Sequence, residues 1–168
     1  MIAVRSKLSK VVLALIAAGV GSLGIASQFI GEREGTEFAS YQDAKGVWTI
    51  CRGHTVGVKP GQTATIEQCD DYSDADLAHF SAVVDRLTTV KLTEPQRAGL
   101  TSFCYNVGEG NCAKATLFRK LNAGDRAGGC AEILRWRFVG GHDCSAPGDK
   151  VCPGIWTRRQ MEYELCLR

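Results

Sequence analysis

Apolar and polar positions change their spacing several times along the chain. From Val11 to Gly31 no residue is charged, a run of 21 positions. As a single helix this run would span about 30 Å, the thickness of a bilayer core. Past Glu32 the pattern shortens, and residues 38–60 are predicted to form a small β region. Within it, Asp43-Ala44-Lys45-Gly46 is a turn-rich tetrad, and Val47-Trp48-Thr49-Ile50-Cys51 has the β-branched and aromatic content of a strand. Helical spacing then dominates. Thr63-x-x-Ile66 opens a segment reaching about Val90. Thr93-x-x-Gln96 has capping-box form, and Leu100, Phe103, Cys104 and Val107 follow with the spacing of one buried helix face. Gly108 and Gly110 are predicted to stop that helix. Thr116 to Asn122 reads as a short helix ended by Gly124. Asp125 can cap the next, which carries Cys130, Ile133, Leu134 and Trp136. Gly140-Gly141 begins a loop through Cys144 and Cys152 to Gly154, and Thr157 to Leu167 is a final helix. The predicted class is α+β: one small sheet and a larger helical bundle, with a cleft between them.

Composition changes this picture mainly at the N-terminal end. The 168 residues suit one domain with a small appendage, and 45% hydrophobic against 23% charged excludes a disordered chain. A net charge of +2 excludes a strongly basic nucleic-acid binder. The charges are unevenly placed. Arg5, Lys7 and Lys10 precede the apolar run, and no acidic residue occurs before Glu32. Such a flank stays on the cytoplasmic side, so the body is expected across the membrane. About half of the run is small or polar, including Gly19, Gly21, Gly24, Ser27, Gln28 and Gly31, which makes it a poor permanent anchor. A cleavable signal peptide, with Gly24-Ile25-Ala26 as a small-x-small site, and a provisional anchor that later leaves the bilayer both remain open. The chain is read as residues 1–31, the leader, and 32–168, the body.

All eight cysteines lie in the body, at 51, 69, 104, 112, 130, 144, 152 and 166. An exported body meets an oxidising compartment, so four disulfides are the natural reading, with the pairing open. Cys51 with His54, or His142 with Cys144, would begin a metal site. Neither has a second ligand pair at zinc spacing, and no metal or cofactor is expected. A Cys51/His54 nucleophile pair is a weaker rival than a bridged Cys51.

The candidate chemistry lies just after the leader. Glu34 is expected at a helix end with Gly35 as the C′ stop. The negative end of a helix dipole disfavours an ionised carboxylate there, which suits a proton donor. Asp43 lies on the predicted turn, where water and backbone donors favour the carboxylate, and Thr49 offers a hydroxyl from the return strand. Two carboxylates in contrasting settings are the minimum for cleaving a glycosidic bond. Taken alone, two acids at this spacing are more often ordinary surface residues.

The spacing Glu34, Asp43, Thr49, set in Glu34-Gly35, Tyr41-Gln42-Asp43 and Gly46 to Cys51, resembles the catalytic pattern of the T-even-type phage lysozymes, glycoside hydrolase family 24. Gly53-His54-Thr55, Tyr105-Asn106-Val107-Gly108 and Arg158-Arg159 are similar to that family too. With its glycine- and alanine-rich leader, the whole chain resembles the signal-anchor-release endolysins of lambdoid phages. The resemblance implies a lysozyme-like fold and hydrolysis of the β-1,4 bond between N-acetylmuramic acid and N-acetylglucosamine. It implies Glu34 as general acid, with Asp43 and Thr49 holding the attacking water; that arrangement gives inversion, and retention, as in some relatives, is the alternative outcome. Glu32 and Glu37 lack the spacing. Asn106 and Gly108 would line the groove, Arg158 would pair with Glu34, and His54 would make a structural ion pair with Asp76.

The resemblance also implies a life cycle. Residues 11–31 would tether an inactive enzyme to the host inner membrane, exported by the Sec machinery and facing the periplasm. Release, linked to a holin or pinholin, would free a monomer to act on peptidoglycan strands. Only Glu32 and Arg33 separate the run from Glu34, so a helix held in lipid keeps the acid at the bilayer surface. After release the end of the leader would refold as the first helix of the enzyme. Some relatives use a thiol switch, with cysteines in the anchor and at the position of Asp43. This chain has neither. The disulfide pairing that fits the family layout is 51–69, 104–112, 130–166 and 144–152. A secreted lysozyme matured by signal peptidase and a noncatalytic disulfide-rich wall-binding module are the alternatives.

Overall fold

The computed structural model describes residues 6–43 and 46–168. Arg5 of the basic flank, and Ala44 and Lys45 of the turn, lie outside the described residues. The uncharged run is two helices. Helix α1 (Lys10–Ala17) starts at Ser9, whose side chain accepts from the Val12 N–H, as a polar N-cap does. Gly19 then takes φ +71°, a left-handed conformation that breaks the helix, and α2 (Ser22–Gly31) follows. Its N-cap, Gly21, has no side chain to offer. Instead Glu94 reaches across, its Oε2 accepting from the Ser22 N–H at 2.7 Å. No helix among the described residues is long and apolar enough to cross a membrane. Leu8, Val12, Ile25, Ala26, Phe29 and Ile30 are buried in one cluster with Leu77, Ala98 and Leu165 of the body. Val12, Ile25 and Phe29 are fully enclosed, and each such side chain contributes about 1.5–3 kcal/mol relative to exposure.

Strand β1 (Glu37–Gln42) pairs antiparallel with β2 (Trp48–Cys51), setting Tyr41 opposite Thr49. A tight turn through Cys51 and Gly53, at φ 58° and 101°, brings His54 back to Ile50. Thr63 does not open the next helix. It bridges to Ala39 at the sheet edge, and α3 (Ile66–Leu87) starts three residues later. Thr65 and Gln68 make a full capping box there.

Helix α4 (Glu94–Val107) is capped by Thr93. The Gln96 side chain does not close the box. It lies buried, 4.0 Å from the sulfurs of both Cys130 and Cys166. Gly108 ends α4 at φ 83°, and α5 (Glu109–Lys114) follows at once, so Gly110 lies inside a helix and stops nothing. Helices α6 (Thr116–Asn122) and α7 (Arg126–Glu132) come next, α7 capped by Asp125, and then a 3-10 turn, Ile133–Arg135. The expected loop at Gly140-Gly141 opens with a second small sheet. Strands β3 (Phe138–Val139) and β4 (His142–Asp143) pair across the two glycines, both at positive φ, as a two-residue hairpin turn requires.

Helix α8 (Ile155–Leu167) packs on α4 at Gly99. A Cβ there would meet the Leu165 Cβ at 2.8 Å and the Glu162 carbonyl oxygen at 3.0 Å, so only glycine allows the helices so close. Around them Leu100, Phe103, Leu117 and Ile133 form the main core. Four disulfides join Cys51–Cys69, Cys104–Cys112, Cys130–Cys166 and Cys144–Cys152. The Cys51–Cys69 bridge ties the sheet β1–β2 to α3 of the helical body.

Candidate active site

Glu34 follows α2 by one turn. Its N–H and that of Arg33 both donate to the Ile30 carbonyl, at 3.0 and 2.9 Å. The helix ends by this tightening and by Arg33, which donates to the Phe29 carbonyl and lies 3.9 Å from the centre of the Phe29 ring. Gly35 is not in a left-handed conformation, so it is not the C′ stop expected from sequence. Because Ile25, Phe29 and Ile30 are buried, the position of Glu34 is inherited from the core.

Arg158 of α8 donates through Nη1 to Glu34 Oε1 at 2.5 Å. Its Nε donates to Glu162 Oε1 at 3.1 Å and its Nη2 to Ser102 Oγ at 3.4 Å. Ser102 donates to the same Glu162 oxygen at 2.7 Å. The other oxygen of Glu162 accepts from Arg159, which also donates to Asn106 Oδ1 and, at 2.9 Å, to the Trp136 carbonyl. Burial alone would lower the Arg158 guanidinium, but the Glu162 and Glu34 carboxylates outweigh it and hold it above its ordinary value.

The opposite wall is the β1–β2 hairpin. Val47 ties its two candidate residues, Asp43 and Thr49, together. Its N–H donates to Asp43 Oδ1 at 2.9 Å, and its carbonyl accepts from Thr49 Oγ1 at 3.0 Å. Thr49 is buried beside Tyr41. Partial burial, then the carboxylates of Glu37, Glu34 and Asp43, push the Tyr41 phenol up. One ring therefore feels both candidate carboxylates. Tyr105 of α4 closes the floor, donating to the Arg52 carbonyl at 2.5 Å. Burial first, and the Glu34 and Asp76 carboxylates after it, raise its hydroxyl well above the ordinary tyrosine value.

Three hollows meet here. One of about 680 Å³ is lined by Glu34, Thr36, Arg52 and Tyr105 together with the leader's Gln28 and Gly31. A second of about 670 Å³ runs along Asp43, Val47, His54, Tyr105, Asn106 and Gly108. A third, of about 360 Å³, has Glu34, Asn106 and Arg158 in its wall. The first two share Tyr105 and the last two Asn106, which links them into a groove; Glu34 borders the first and third, Asp43 the second, and Thr49 none of the three.

The other expected residues fall as follows. His54 Nδ1 is 2.9 Å from Asp76 Oδ2, its Nε2 is 3.0 Å from the Val56 carbonyl, and its ring stacks on Tyr72. With both nitrogens engaged it supports the sheet and offers nothing to a substrate. Gly108 is favoured by its φ of 83° and not by crowding, since an added Cβ there would meet nothing within 4 Å. Glu32 accepts from Ser9 and Gln28, and Glu37 is exposed on β1. His142, Asp149 and Cys152 cluster near β4, but the Cys152 sulfur is bonded to Cys144 and is no ligand. The sequence reading missed Glu162 and Ser102. The signal for Glu162 was present, at i+4 from Arg158 and i+3 from Arg159 in a helix, but such pairs usually lie on a solvated face.

Comparison with known proteins gives the family and the fold. The phage lysozyme family model matches residues 31–162. The SAR-endolysin of Escherichia phage N15 is 45% identical over 168 residues, covering 96% of this chain and 94% of the relative. The SAR-endolysin of Escherichia phage 933W is 43% identical over 166 residues, covering 96% and 93%. Among solved structures, the endolysin from Escherichia coli O157:H7 phage FAHEc1 superposes with a TM-score of 0.68 at 29% identity, covering 84% of this chain and 90% of that one. The chain belongs to the phage lysozyme family.

Proposed function

We propose that this chain is a phage endolysin that hydrolyses the β-1,4 bond between N-acetylmuramic acid and N-acetylglucosamine in peptidoglycan, and so lyses the host. Membership of the family makes it a lysozyme-type glycoside hydrolase. The observation that carries the finer reading is the placement of Glu34, held by Arg158 just past α2, near enough to Tyr41 of the hairpin that this ring feels the charges of both Glu34 and Asp43. Glu34 gives its proton to the glycosidic oxygen as the bond to the anomeric carbon breaks. Asp43 takes a proton from a water that bonds to that carbon, and Thr49 orients the water. Attack from the face opposite the leaving group inverts the configuration. Asn106, Gly108 and Tyr105 border the sugar path.

Purified chain should clear isolated cell walls, and Glu34→Gln should abolish clearing with the fold intact. Lysis by purified Glu34→Gln protein sinks the assignment. The anomer first released from soluble glycan reads inversion directly.

The leader supplies the regulation. Residues 11–31, delivered by the Sec machinery, tether the chain to the inner membrane with the body in the periplasm. There the acid is kept at the bilayer surface. When membrane energisation fails, in step with a holin or pinholin, the weak anchor leaves the lipid and packs as α1 and α2. The burial of Val12, Ile25, Ala26 and Phe29 supports release of the whole chain over cleavage. A cut after Ala26 would sever α2 and strip Ile25 from the core. The released form acts as a monomer and needs no cofactor.

A further inference from the structure

We propose that Glu162, together with Ser102, is a positioning residue for catalysis: from behind Arg158 it fixes the guanidinium that holds Glu34. The inference rests on Glu34 being the acid of the proposed reaction.

Glu162 is fully buried and lines none of the three hollows itself. A buried ion pair is a poor way to stabilise a helix interface, since apolar residues of similar volume do as well or better. Yet α4 and α8 meet closely at Gly99, and a carboxylate is placed there among three donors. The use of that arrangement lies in the geometry of arginine. A guanidinium is a rigid planar fork, so fixing two of its nitrogens fixes the direction of the third. Glu162 holds Nε and Ser102 holds Nη2. Nη1 is then aimed at Glu34 without the rotamer freedom that a long side chain would otherwise keep.

Ser102 makes the alignment relative to the substrate wall. It lies on α4, the helix that carries Tyr105 and Asn106. Through the second oxygen of Glu162, Arg159 is fixed in the same way and reaches Asn106 and the Trp136 carbonyl. One carboxylate therefore sets the acid's partner and the groove-lining amide together. Glu162 touches no reacting atom. It acts through Arg158.

The test is turnover of soluble glycan fragments by the full chain, below the melting temperature of every variant. Glu162→Gln should lower kcat by about 10- to 100-fold, the penalty of a misplaced catalytic group. KM should move less than about twofold, since the loss falls on the transition state alone. Arg158→Lys has no fork to orient, so adding Glu162→Gln to it should cost little more. Ser102→Ala keeps every charge and should show the same pattern at smaller size. It decides the matter by the same two readouts if Glu162→Gln does not fold. Unchanged kcat in these variants, or losses that multiply in the Arg158→Lys background, would overturn the positioning role and leave Glu162 purely structural. Glu34→Gln is run beside them. If that variant stays active, the reading of the site itself falls, whatever Glu162 does.

Discussion

Arg158 serves two carboxylates at once, one open to the groove and one sealed from water. Replacing it with alanine removes both contacts. Glu162 keeps Arg159 and Ser102 but loses a compensating charge in a dry site, so Arg158→Ala should destabilise the chain by about 3 kcal/mol, the low end for breaking a buried pair. A denaturant titration reads that shift, and turnover should fall in the same variant. An unchanged midpoint with unchanged activity would remove Arg158 from both roles. At this scale the sequence was uneven in what it disclosed. Glu34, Asp43 and Thr49 occupy one short stretch, and it is the resemblance of that stretch to a family pattern that groups them; the two acids alone would pass for surface residues. Glu162 could not be read in this way. Its pairing with two arginines on one helix looks like a solvated face, and only the distant Gly99, by letting α4 approach, makes it interior.

Helix α2 begins without a cap of its own and borrows one from α4. Glu94→Ala should therefore weaken α2 as well as the first turn of α4, at a cost of about 1 kcal/mol, the usual price of a lost N-cap. The melting temperature reads it, and hydrogen exchange at residues 22–26 shows whether the loss falls on α2. The other end of the leader is held by α8, where Glu164 accepts from Ser6 at 2.5 Å and from the Lys7 N–H at 3.0 Å. Burial opposes its ionisation, but Arg168, Ser6 and Lys7 outweigh that and hold its carboxyl below the ordinary range. A lowered carboxyl contributes stability that is complete above the unfolded value, about 4.3, and is lost as the pH falls through the folded one. Exchange protection over α1 should stay level from about pH 8 to about pH 5 and fall only in stronger acid. A loss near neutrality would point to another group. Element boundaries were misread where a local signal had a long-range competitor. Thr63 pairs with the sheet edge instead of capping, Gln96 turns to the Cys130–Cys166 bridge, and Gly140-Gly141 makes a hairpin in what looked like plain loop.

The whole molecule turns on the break between α1 and α2. Gly19→Leu makes the run more apolar and more continuous, which favours lipid. It also places a branched side chain at φ +71°, at a cost of about 1–2 kcal/mol to the packed form. More of this variant should stay with membranes after energy collapse, and lysis should be delayed. Gly31→Leu adds apolarity at an open position and should show a smaller effect. Release of Gly19→Leu at the parental rate, read by membrane fractionation, would argue against the switch. The charge pattern divided the chain at residue 31, but α2 joins the leader's side chains to the body's core. Under the proposed release, the ten residues of α2 would be judged by two solvents in turn. Lipid asks only that they be apolar, whereas the protein interior asks for the shapes of Ile25 and Phe29. A generic anchor of matched hydropathy grafted in their place would insert and let go correctly, and still yield no enzyme.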